Sequence, residues 1–533
     1  MRRPLLLQLS LTFLFAVLGL AVMGYHPGVE DDGVYLSAIQ SDLNPSLYPH
    51  DAAFFKIQLQ ATVFDEAIAW FVHTTGISLY WTELLWQFAA LFAILWACRS
   101  IGERLFHHPL AKWGGVAMVA AMLTLPVAGT ALTIADQYLH PRIIATALIL
   151  WAVDGILAGR RIVPTVLLLL GFTFHPIMAA FGFSFCGFLM LAMWDPAYDR
   201  LCFMLRIPRG RLAMAAPLGW VFEPPSSSWY KALHTRRYFF LTQWTWYEWL
   251  GALAPLWLFY LLWRFAHRFG KRLLARLALA VTAFAVFQFA VAVVMLNTPA
   301  LVRFTPLQPM RFLHLVYLFM VLLGGCLIAE HILDLHVVRW TAYLVLINGA
   351  MYAGQLVLFP ASPHFEHPGN EGTNAWLQAF DWVRHNTPVN AFFVMNPNYL
   401  ATEGEDYHSF RGLAERSQMA DAIKDGVVSA QVPELAPYWL RAVEATQGWQ
   451  HFQLADFQRL QDNFGVDWAL TAYPAPAGLD CQWHNAQLSV CKIPPEPRKS
   501  PLLTKSSLAK HGMRRETMDK PHGRHRRRGQ HHR

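Results

Sequence analysis

Three consecutive carboxylates, Glu30, Asp31 and Asp32, follow the first apolar segment of the chain within a few residues. Adjacent carboxylates repel one another and hydrate strongly, so beside an apolar segment they favour a bound cation, a substrate hydroxyl or a basic partner. A carboxylate in this position can act as a general base towards a hydroxyl group. The alternative is an acidic loop without a catalytic role, since acidic residues hardly affect how a membrane protein orients.

A second group of polar residues, Asp136, His140 and Arg142, lies just before another apolar segment. Pro141 is suited to the first turn of a helix, where its missing N–H leaves no hydrogen bond unmade. Arg142 would then lie at the positive end of that helix, which is a favourable place for a phosphate. The alternative is that these side chains only anchor the helix at the lipid headgroups.

Further candidates lie later in the chain. His175 precedes Pro176 within a long apolar stretch and could be a turn residue or a ligand. Arg303, Gln308 and Arg311 form a cluster before a late apolar segment. An arginine beside such a segment is costly unless it faces a polar cavity or reaches the headgroups, so this cluster could bind a phosphate. Basic residues near 411–424 form either a solvated charged face or a lid over the membrane cavity. The candidates for substrate binding are Asp136, His140, Arg142, His175, Arg303, Gln308, Arg311, Arg416 and Lys424.

The elements that must position these residues are membrane helices. Of the 533 residues, 55% are hydrophobic and only 15% are charged, whereas soluble domains carry about 25% charged residues. Apolar runs of bilayer length recur through residues 1–360 between short charged loops. The predicted spans are 4–23, 83–98, 113–134, 141–158, 162–174, 177–194, 247–263, 277–296, 312–330 and 340–359.

The basic residues between these spans predict the two sides of the membrane. Lys and Arg concentrate in alternate loops, which places those loops in the cytoplasm. The pattern is self-consistent only if residues 212–222 make one more short or broken crossing, which gives about ten to eleven spans. The first long loop, 25–82, is then outside the cytoplasm, with helices lying on the membrane surface. The C-terminus is outside as well, as expected for a protein of the bacterial inner membrane.

The C-terminal third divides into two predicted regions. Residues 361–493 alternate helical and strand patterns and are predicted to form a soluble α/β domain, whereas residues 494–533 form a disordered basic tail. Cys481 and Cys491 flank a predicted turn at Asn485-Ala486, so an antiparallel hairpin would place the two sulfurs opposite each other. The space outside the cytoplasm is oxidising, which predicts a disulfide between them.

The arrangement as a whole resembles the GT-C class of membrane glycosyltransferases, and bacterial proteins of the same plan with an outer C-terminal domain. The likeness rests on the first span, the acidic residues Asp31 and Asp32 that open a long outer loop, the many later spans and the outer domain. Three segments add to it: 136–142, 308–311 and 410–425. It implies inverting sugar transfer from a polyprenyl-phosphate donor, with Asp31 or Asp32 as base and Glu30 beside them. Asp31 and Asp136 could hold a divalent Mg²⁺ or Mn²⁺ ion, because both metals prefer oxygen ligands.

Two other functions remain open at this point: a transporter or flippase of a lipid-linked or anionic substrate, and a non-enzymatic scaffold for envelope assembly. The sequence contains no P-loop and no glycine-rich nucleotide fingerprint. Its excess of basic residues lies after residue 493, in the tail, so a folded nucleic-acid surface is not indicated. The expected partners are the lipid bilayer and the polyprenyl-phosphate sugar donor; the oligomeric state stays open.

The topology can be tested with a reporter enzyme fused after residue 493. A reporter that works only outside the cytoplasm should be active there, because the basic loops place that end of the chain outside. The same reporter fused after Arg272, in a predicted inner loop, serves as the inactive control. Activity of a cytoplasm-only reporter after residue 493 would show that the crossings have been counted wrongly.

Overall fold

The computed structural model describes residues 2–206, 226–367, 374–402 and 405–495. The predicted broken crossing at 212–222 lies outside the described residues. So does the basic tail from residue 496 onward.

The first two thirds of the chain are built from helices. In chain order they are α1 (Arg2–Met23), α2 (Asp32–Leu43), α3 (Ala53–Leu59), α4 (Phe64–Thr75), α5 (Leu79–Leu105), α6 (Ala111–Ala121), α7 (Pro141–Leu157), α8 (Ile162–Phe174), α9 (Pro176–Met193), α10 (Asp195–Arg206), α11 (Ser227–His234), α12 (Trp246–Arg268), α13 (Arg272–Asn297), α14 (Leu313–Ile328) and α15 (Val337–Leu358).

Seven described helical segments are long and apolar enough to cross a membrane. They are Leu5–Met23, Leu79–Leu105, Pro176–Met193, Trp246–Arg268, Arg272–Leu296, Leu301–Leu333 and Val337–Leu358. The segment Leu301–Leu333 begins within the first of two short 3₁₀ helices, Pro299–Leu307 and Pro309–Phe312, which precede α14. The chain is a polytopic helical membrane protein with an α/β domain at its C-terminal end, as the sequence predicted.

Three of the ten predicted spans contain shorter helices. The helices α6, α7 and α8 have 11, 17 and 13 residues, or roughly 17, 26 and 20 Å at 1.5 Å per residue. The prediction of a continuous span over 113–134 is wrong. There α6 ends at Ala121, and the chain then forms a small antiparallel pair, β1 (Pro126–Val127) and β2 (Leu132–Thr133). Pro126 cannot continue a helix, because it lacks the N–H and its ring clashes with the preceding turn.

The first long loop contains α2, α3 and α4, and only part of it fits the prediction of helices lying on the surface. Trp70 on α4 is 66% exposed, as expected for an aromatic residue at the membrane interface. In α2, however, ten of the twelve residues are buried. A β-carbon on Gly33 would lie 2.2 Å from Ser409 of the C-terminal domain. Glycine at this position therefore allows the domain to cover α2 directly.

The C-terminal domain contains α16 (Ala375–Asn386), α17 (Phe410–Ala414), α18 (Lys424–Gln431), α19 (Ala436–Ala445) and α20 (Leu454–Phe464) around one sheet. Its strands are β3 (Phe392–Met395), β4 (Ser417–Gln418), β5 (Trp468–Ala472), β6 (Asp480–His484) and β7 (Leu488–Lys492). The strand order is β4-β3-β5-β7-β6; β3 runs parallel to β4 and β5, whereas β7 is antiparallel to β5 and β6. The predicted strands at 391–395, 466–471 and 487–493 correspond to β3, β5 and β7.

The edge hairpin of this sheet contains the predicted disulfide. Cys481 on β6 lies directly opposite Cys491 on β7, and the two sulfurs are bonded. Cys491 is completely buried. The bond therefore ties the exposed edge strand to a strand of the domain core.

A buried hydrogen-bonded cluster joins the end of α1, the segment after α15 and the C-terminal domain. Glu366 accepts hydrogen bonds from His26 Nδ1 at 2.5 Å and from His408 Nε2 at 2.7 Å. All three residues are at most 5% exposed. Beside them the backbone of Tyr25 pairs with that of Phe365. We call the end of the membrane helices that meets this domain the outer end.

Stability should depend on the ionisation of Glu366. Burial opposes ionisation, but His408 and His26 outweigh it and hold the pKa of Glu366 below its ordinary value of 4.5. A carboxyl with a lowered pKa stabilises the fold above its unfolded pKa, and this contribution is lost as the pH falls. We therefore expect Glu366→Gln to cost about 3 kcal/mol at pH 7. It should also flatten the decline of the melting temperature below about pH 4.5.

Thermal unfolding of the detergent-solubilised protein between pH 3.5 and 7.5 measures both effects. The exposed Glu434→Gln is the matched control and should leave the melting curve unchanged. An equal pH profile for the wild type and Glu366→Gln would contradict the proposed contribution.

Candidate functional site

A cavity of about 220 Å³ lies at the outer end of the membrane helices, under the C-terminal domain. The ends of α7, α8 and α9, the start of α2 and the N-terminus of α18 contribute to its wall. Six of the residues singled out in the sequence line it: Asp31, His140, His175, Gln308, Arg311 and Lys424. Residues separated by almost 400 positions in the chain therefore meet in one site.

Asp31 and Lys424 form an ion pair in this cavity. The Lys424 ammonium donates to Asp31 Oδ1 at 2.9 Å and lies 3.7 Å from Glu30 Oε2. Burial disfavours the ionised Asp31, but the charge and hydrogen bond of Lys424, helped by Arg311, lower its pKa to about 2. About a third of the Asp31 side chain stays exposed. Asp31 is thus an ionised carboxylate that a substrate can reach.

Lys424 is held in place by the start of α18. The carboxylate of Asp421 accepts hydrogen bonds from the backbone N–H of Ile423 and of Lys424, at 2.7 and 2.6 Å. This arrangement satisfies N–H groups that the first turn of a helix leaves unpaired. The positive end of α18 therefore points its first residue, Lys424, into the cavity.

Asp32 lies behind Asp31 and does not line the cavity. It is 1% exposed, and its Oδ2 accepts a 2.6 Å hydrogen bond from the N–H of Gly28. Its Oδ1 has no hydrogen-bond partner. Burial raises the pKa of Asp32 to about 7, against the partial compensation of that hydrogen bond. The two neighbouring aspartates thus occupy very different environments.

Asp136 and Arg142 form a buried pair at the start of α7. Both carboxylate oxygens of Asp136 accept hydrogen bonds from Nη2 of Arg142. His140 Nδ1 accepts from the backbone N–H of Arg142 at 2.9 Å and so caps α7. His175 caps α9 in the same way, through Met178. The prediction of a helix starting at Pro141 is confirmed, but Arg142 already has an anionic partner.

Gln308 is the most unusual residue of the cavity wall. It lies between two 3₁₀ turns with a φ of +49°, a left-handed conformation that costs a residue with a β-carbon about 1 kcal/mol or more. Its side chain is 95% buried, since only 5% is exposed. Neither its amide nitrogen nor its amide oxygen has a hydrogen-bond partner, and Nε of Arg311 next to it has none either. Unpaired buried polar groups are costly, so these atoms are available to a ligand.

Four predicted substrate-binding residues do not line the cavity: Asp136 and Arg142, which pair with each other, and Arg303 and Arg416. Arg303 is exposed on the preceding 3₁₀ segment. Arg416 is buried and donates to the backbone oxygens of Arg384 and Thr387 at the end of α16. The hydrogen-bonding capacity of its guanidinium is used inside the domain, where it satisfies carbonyl groups that a helix end leaves unpaired.

Some residues that line the cavity were not predicted from the sequence. Tyr35 follows Asp32 by one helical turn and lines the wall with Tyr238, from the segment before α12. Gln58 and Thr62 contribute from the first long loop. The position of Tyr35 relative to the aspartates on a helix could have suggested it. Tyr238 is brought there only by tertiary packing.

The C-terminal domain is fixed to the first loop by Arg411. Its guanidinium donates to Asp51 Oδ2 at 2.5 Å and to both oxygens of Asp425 at 3.0 and 2.9 Å. All three residues are at most 3% exposed. The prediction of a solvated charged face is therefore wrong for this region. Because Asp425 follows Lys424 directly, this cluster also positions the lysine.

The two predicted ligands of a divalent cation, Asp31 and Asp136, already have basic partners. Asp31 is paired with Lys424, and Asp136 is paired through both oxygens with Arg142. Over the described ranges, no group of three or more His, Cys, Asp or Glu side chains is arranged to hold a metal ion. As arranged here, the two predicted ligands do not fit such an ion, so no step below is assigned to one.

Comparison with solved structures finds the apo crystal structure of the Archaeoglobus fulgidus oligosaccharyltransferase, with a TM-score of 0.42 and 10% sequence identity. The match covers 87% of this chain and 69% of that chain. Neither a protein-family model nor a curated protein matches the sequence. Similarity this low assigns the chain to no family.

The Arg411 cluster generates a direct prediction. Replacing Arg411 by Met leaves the carboxylates of Asp51 and Asp425 buried without a cation, which costs about 3–5 kcal/mol. Thermal unfolding in detergent should show this as a large decrease in melting temperature. The exposed Arg441→Met, also in the C-terminal domain, is the matched control and should change it little. Equal melting temperatures for the two variants would show that the cluster contributes nothing.

Proposed function

We propose that this chain is a membrane glycosyltransferase of the GT-C plan. It transfers a sugar from a polyprenyl-phosphate donor to a hydroxyl acceptor at the outer face of the membrane. The observation that carries the proposal is the cavity itself, which combines one accessible carboxylate with two cations and an unpaired amide. Such a set can deprotonate a hydroxyl while it stabilises a leaving phosphate.

Arg311 and Lys424 are the proposed ligands of the donor phosphate. Both line the cavity, and Nε of Arg311 has no hydrogen-bond partner. A guanidinium presents several donors in a fixed geometry that matches phosphate oxygens, whereas an ammonium acts as a point charge. The amide of Gln308 next to Arg311 is suited to a sugar hydroxyl or a phosphate oxygen. Phe174 and Ile177 line the same cavity and offer an apolar contact to the prenyl chain.

Donor binding would also activate the base. In the structure Lys424 is paired with Asp31, which keeps the pKa of Asp31 low and makes it a weak base. A donor phosphate competes with Asp31 for the same ammonium. When Lys424 shifts towards the phosphate, the pKa of Asp31 rises and its carboxylate is released to accept a proton. The ion pair between Lys424 and Asp31 thus couples donor binding to the basicity of Asp31.

Asp31 is the proposed catalytic base, and Asp32 and Glu30 have supporting roles. Asp32 is buried and holds the turn at Gly28, which sets the position of Asp31. The side chain of Glu30 is about half exposed and adds negative charge near Lys424. Among the described residues that line the cavity, Asp31 is the single acidic one. Retaining transfer needs a second carboxyl group as nucleophile, so one carboxylate favours a single displacement with inversion.

The proposed location follows from the basic loops. Their charge supports a location of the outer end of the helices, the cavity and the C-terminal domain on the extracytoplasmic side of a bacterial inner membrane. A polyprenyl phosphate in the outer leaflet would then present its headgroup at the height of the cavity.

The test uses membranes that contain the chain and a radiolabelled polyprenyl-phosphate sugar. Asp31→Asn should lower the transfer rate by about 10²–10⁴-fold, which is the usual contribution of a general base. Arg311→Met should instead weaken binding of the donor and of polyprenyl phosphate as a competitor. Lys424→Met should weaken donor binding in the same way.

Two exposed substitutions far from the cavity are the matched controls. Asp462→Asn for the aspartate and Arg268→Met for the arginine should both leave transfer unchanged. Normal transfer by Asp31→Asn would overturn the assignment of the base. Accumulation of the labelled lipid across vesicles without transfer would support a transporter or flippase instead.

A further inference from the structure

Two helices that begin in the same way meet at one wall of the cavity that contains Asp31. Both α7 and α9 begin at a proline, and the side chain of the preceding histidine, His140 or His175, caps the helix. The centroids of the two imidazole rings are 5.9 Å apart, and the ring planes are inclined by 26°. Both histidines line the cavity. The positive ends of two helices therefore lie side by side at this wall.

The caps determine which nitrogen of each ring carries the proton. Nδ1 of His140 accepts from the backbone N–H of Arg142 at 2.9 Å, and Nδ1 of His175 accepts from that of Met178 at 3.2 Å. Because a backbone N–H can only donate, Nδ1 is unprotonated in both rings. A neutral imidazole carries one proton, which then lies on Nε2. Each histidine therefore has an Nε2–H donor that its cap does not use.

These two donors are buried and unused. His140 is 2% exposed and His175 is 9% exposed. Among the residues that the structure describes, neither Nε2 atom has a hydrogen-bond partner. A buried donor without a partner is costly, so a ligand that supplied an acceptor oxygen at this wall would be favoured.

The surroundings of the two imidazoles favour an anionic ligand. Burial lowers the pKa of His140, and the charges of Arg142, Arg311 and Lys424 lower it further. Burial and then the charges of Arg311 and Arg142 lower the pKa of His175. Both rings are therefore neutral at physiological pH. The same positive charges disfavour a cation beside the rings, whereas they attract an anion.

We infer that His140 and His175 bind the phosphate group of the donor through their Nε2–H groups, together with Arg311 and Lys424. This inference rests on the proposed glycosyltransferase function and names two further ligands of its leaving group. Helix N-termini are favourable places for a phosphate, and here the two capping side chains extend the donor groups of α7 and α9 into the cavity.

Neutral donors suit the proposed reaction. The acceptor oxygen forms a bond to the anomeric carbon while the bond from that carbon to the phosphate oxygen breaks, and the hydroxyl proton passes to Asp31. The bonding electron pair leaves with the phosphate, which gains one negative charge that N–H donors stabilise. The histidines keep their protons throughout. Unlike Lys424, they carry no charge that pairs with Asp31, so they stabilise the leaving group without weakening the base.

The test is binding of polyprenyl phosphate to the full-length protein in phosphatidylcholine vesicles. Asparagine is a good helix cap, so its side-chain oxygen can replace Nδ1, but it has no group at the position of Nε2. We expect His140→Asn and His175→Asn to keep the melting temperature and each to weaken binding about tenfold, because a hydrogen bond to a charged group is lost. The exposed His451→Asn is the matched control and should change neither quantity.

A glutamine variant should reverse this pattern. His140→Gln places an amide N–H near the position of Nε2 but is a poor cap. It should bind polyprenyl phosphate more tightly than His140→Asn does, although its melting temperature is lower. Wild-type binding by both asparagine variants would overturn the inference. So would binding that follows the melting temperature through all the variants, because the histidines would then act through the fold alone.

Two further probes identify the ligand. Polyprenol of the same chain length lacks the phosphate, so the asparagine variants should bind it as the wild type does. Equal weakening of polyprenol binding would contradict a contact with the phosphate. Inorganic phosphate should compete poorly with the labelled lipid. Competition as strong as that of polyprenyl phosphate would show that the site takes free phosphate, which overturns the assignment to the donor.

Binding does not require sugar transfer, so a failure of this inference can be told apart from a failure of the proposed function. Transfer by the wild type, with normal binding by both asparagine variants, would refute the histidine contacts alone. Binding that depends on the histidines, without any transfer by the wild type, would refute the glycosyltransferase but support the contacts with the phosphate.

Discussion

The structure depends on one buried guanidinium. Arg411 is shared between Asp51 of the first long loop and Asp425 at the start of α18, so it joins two parts of the chain that are far apart in sequence. A buried cation between two carboxylates tolerates little displacement, because separating them would leave charges without partners in a medium of low polarity. The position of Lys424 is therefore fixed relative to Asp31, although the two residues belong to different domains.

This constraint explains how opposite electrostatic environments coexist around α2. On one side Lys424 and Arg311 line the cavity that contains Asp31, and behind it the carboxylate of Asp32 is buried with one oxygen unpaired. The start of α2 is almost entirely buried, so neither environment is averaged by water. Asp31 and Asp32 illustrate the result, since neighbouring residues of the same type have pKa values of about 2 and about 7.

Much of the architecture could be predicted from sequence because it follows from apolar periodicity and local turn signals. The helix that starts at Pro141, the strands of the C-terminal domain and the paired cysteines all have local signals. The break after Ala121 was missed, since apolar residues continue through a β-hairpin there. Residue type located Asp31, Gln308 and Arg311 but could not distinguish Lys424, which faces the cavity, from Arg416, whose donors are used inside the domain. That difference arises from tertiary packing alone.

The burial of α2 has a consequence for the order of biogenesis. Gln40 and Tyr48 bond to the backbone of Gly412 and Arg411, across 372 and 363 positions of sequence. Contacts so distant in sequence form late in folding. The acidic loop emerges near the beginning of synthesis, yet its enclosure must wait until the last third of the chain has been made and has docked. The cavity around Asp31 can therefore be complete only after the C-terminal domain has been synthesised and has packed against α2.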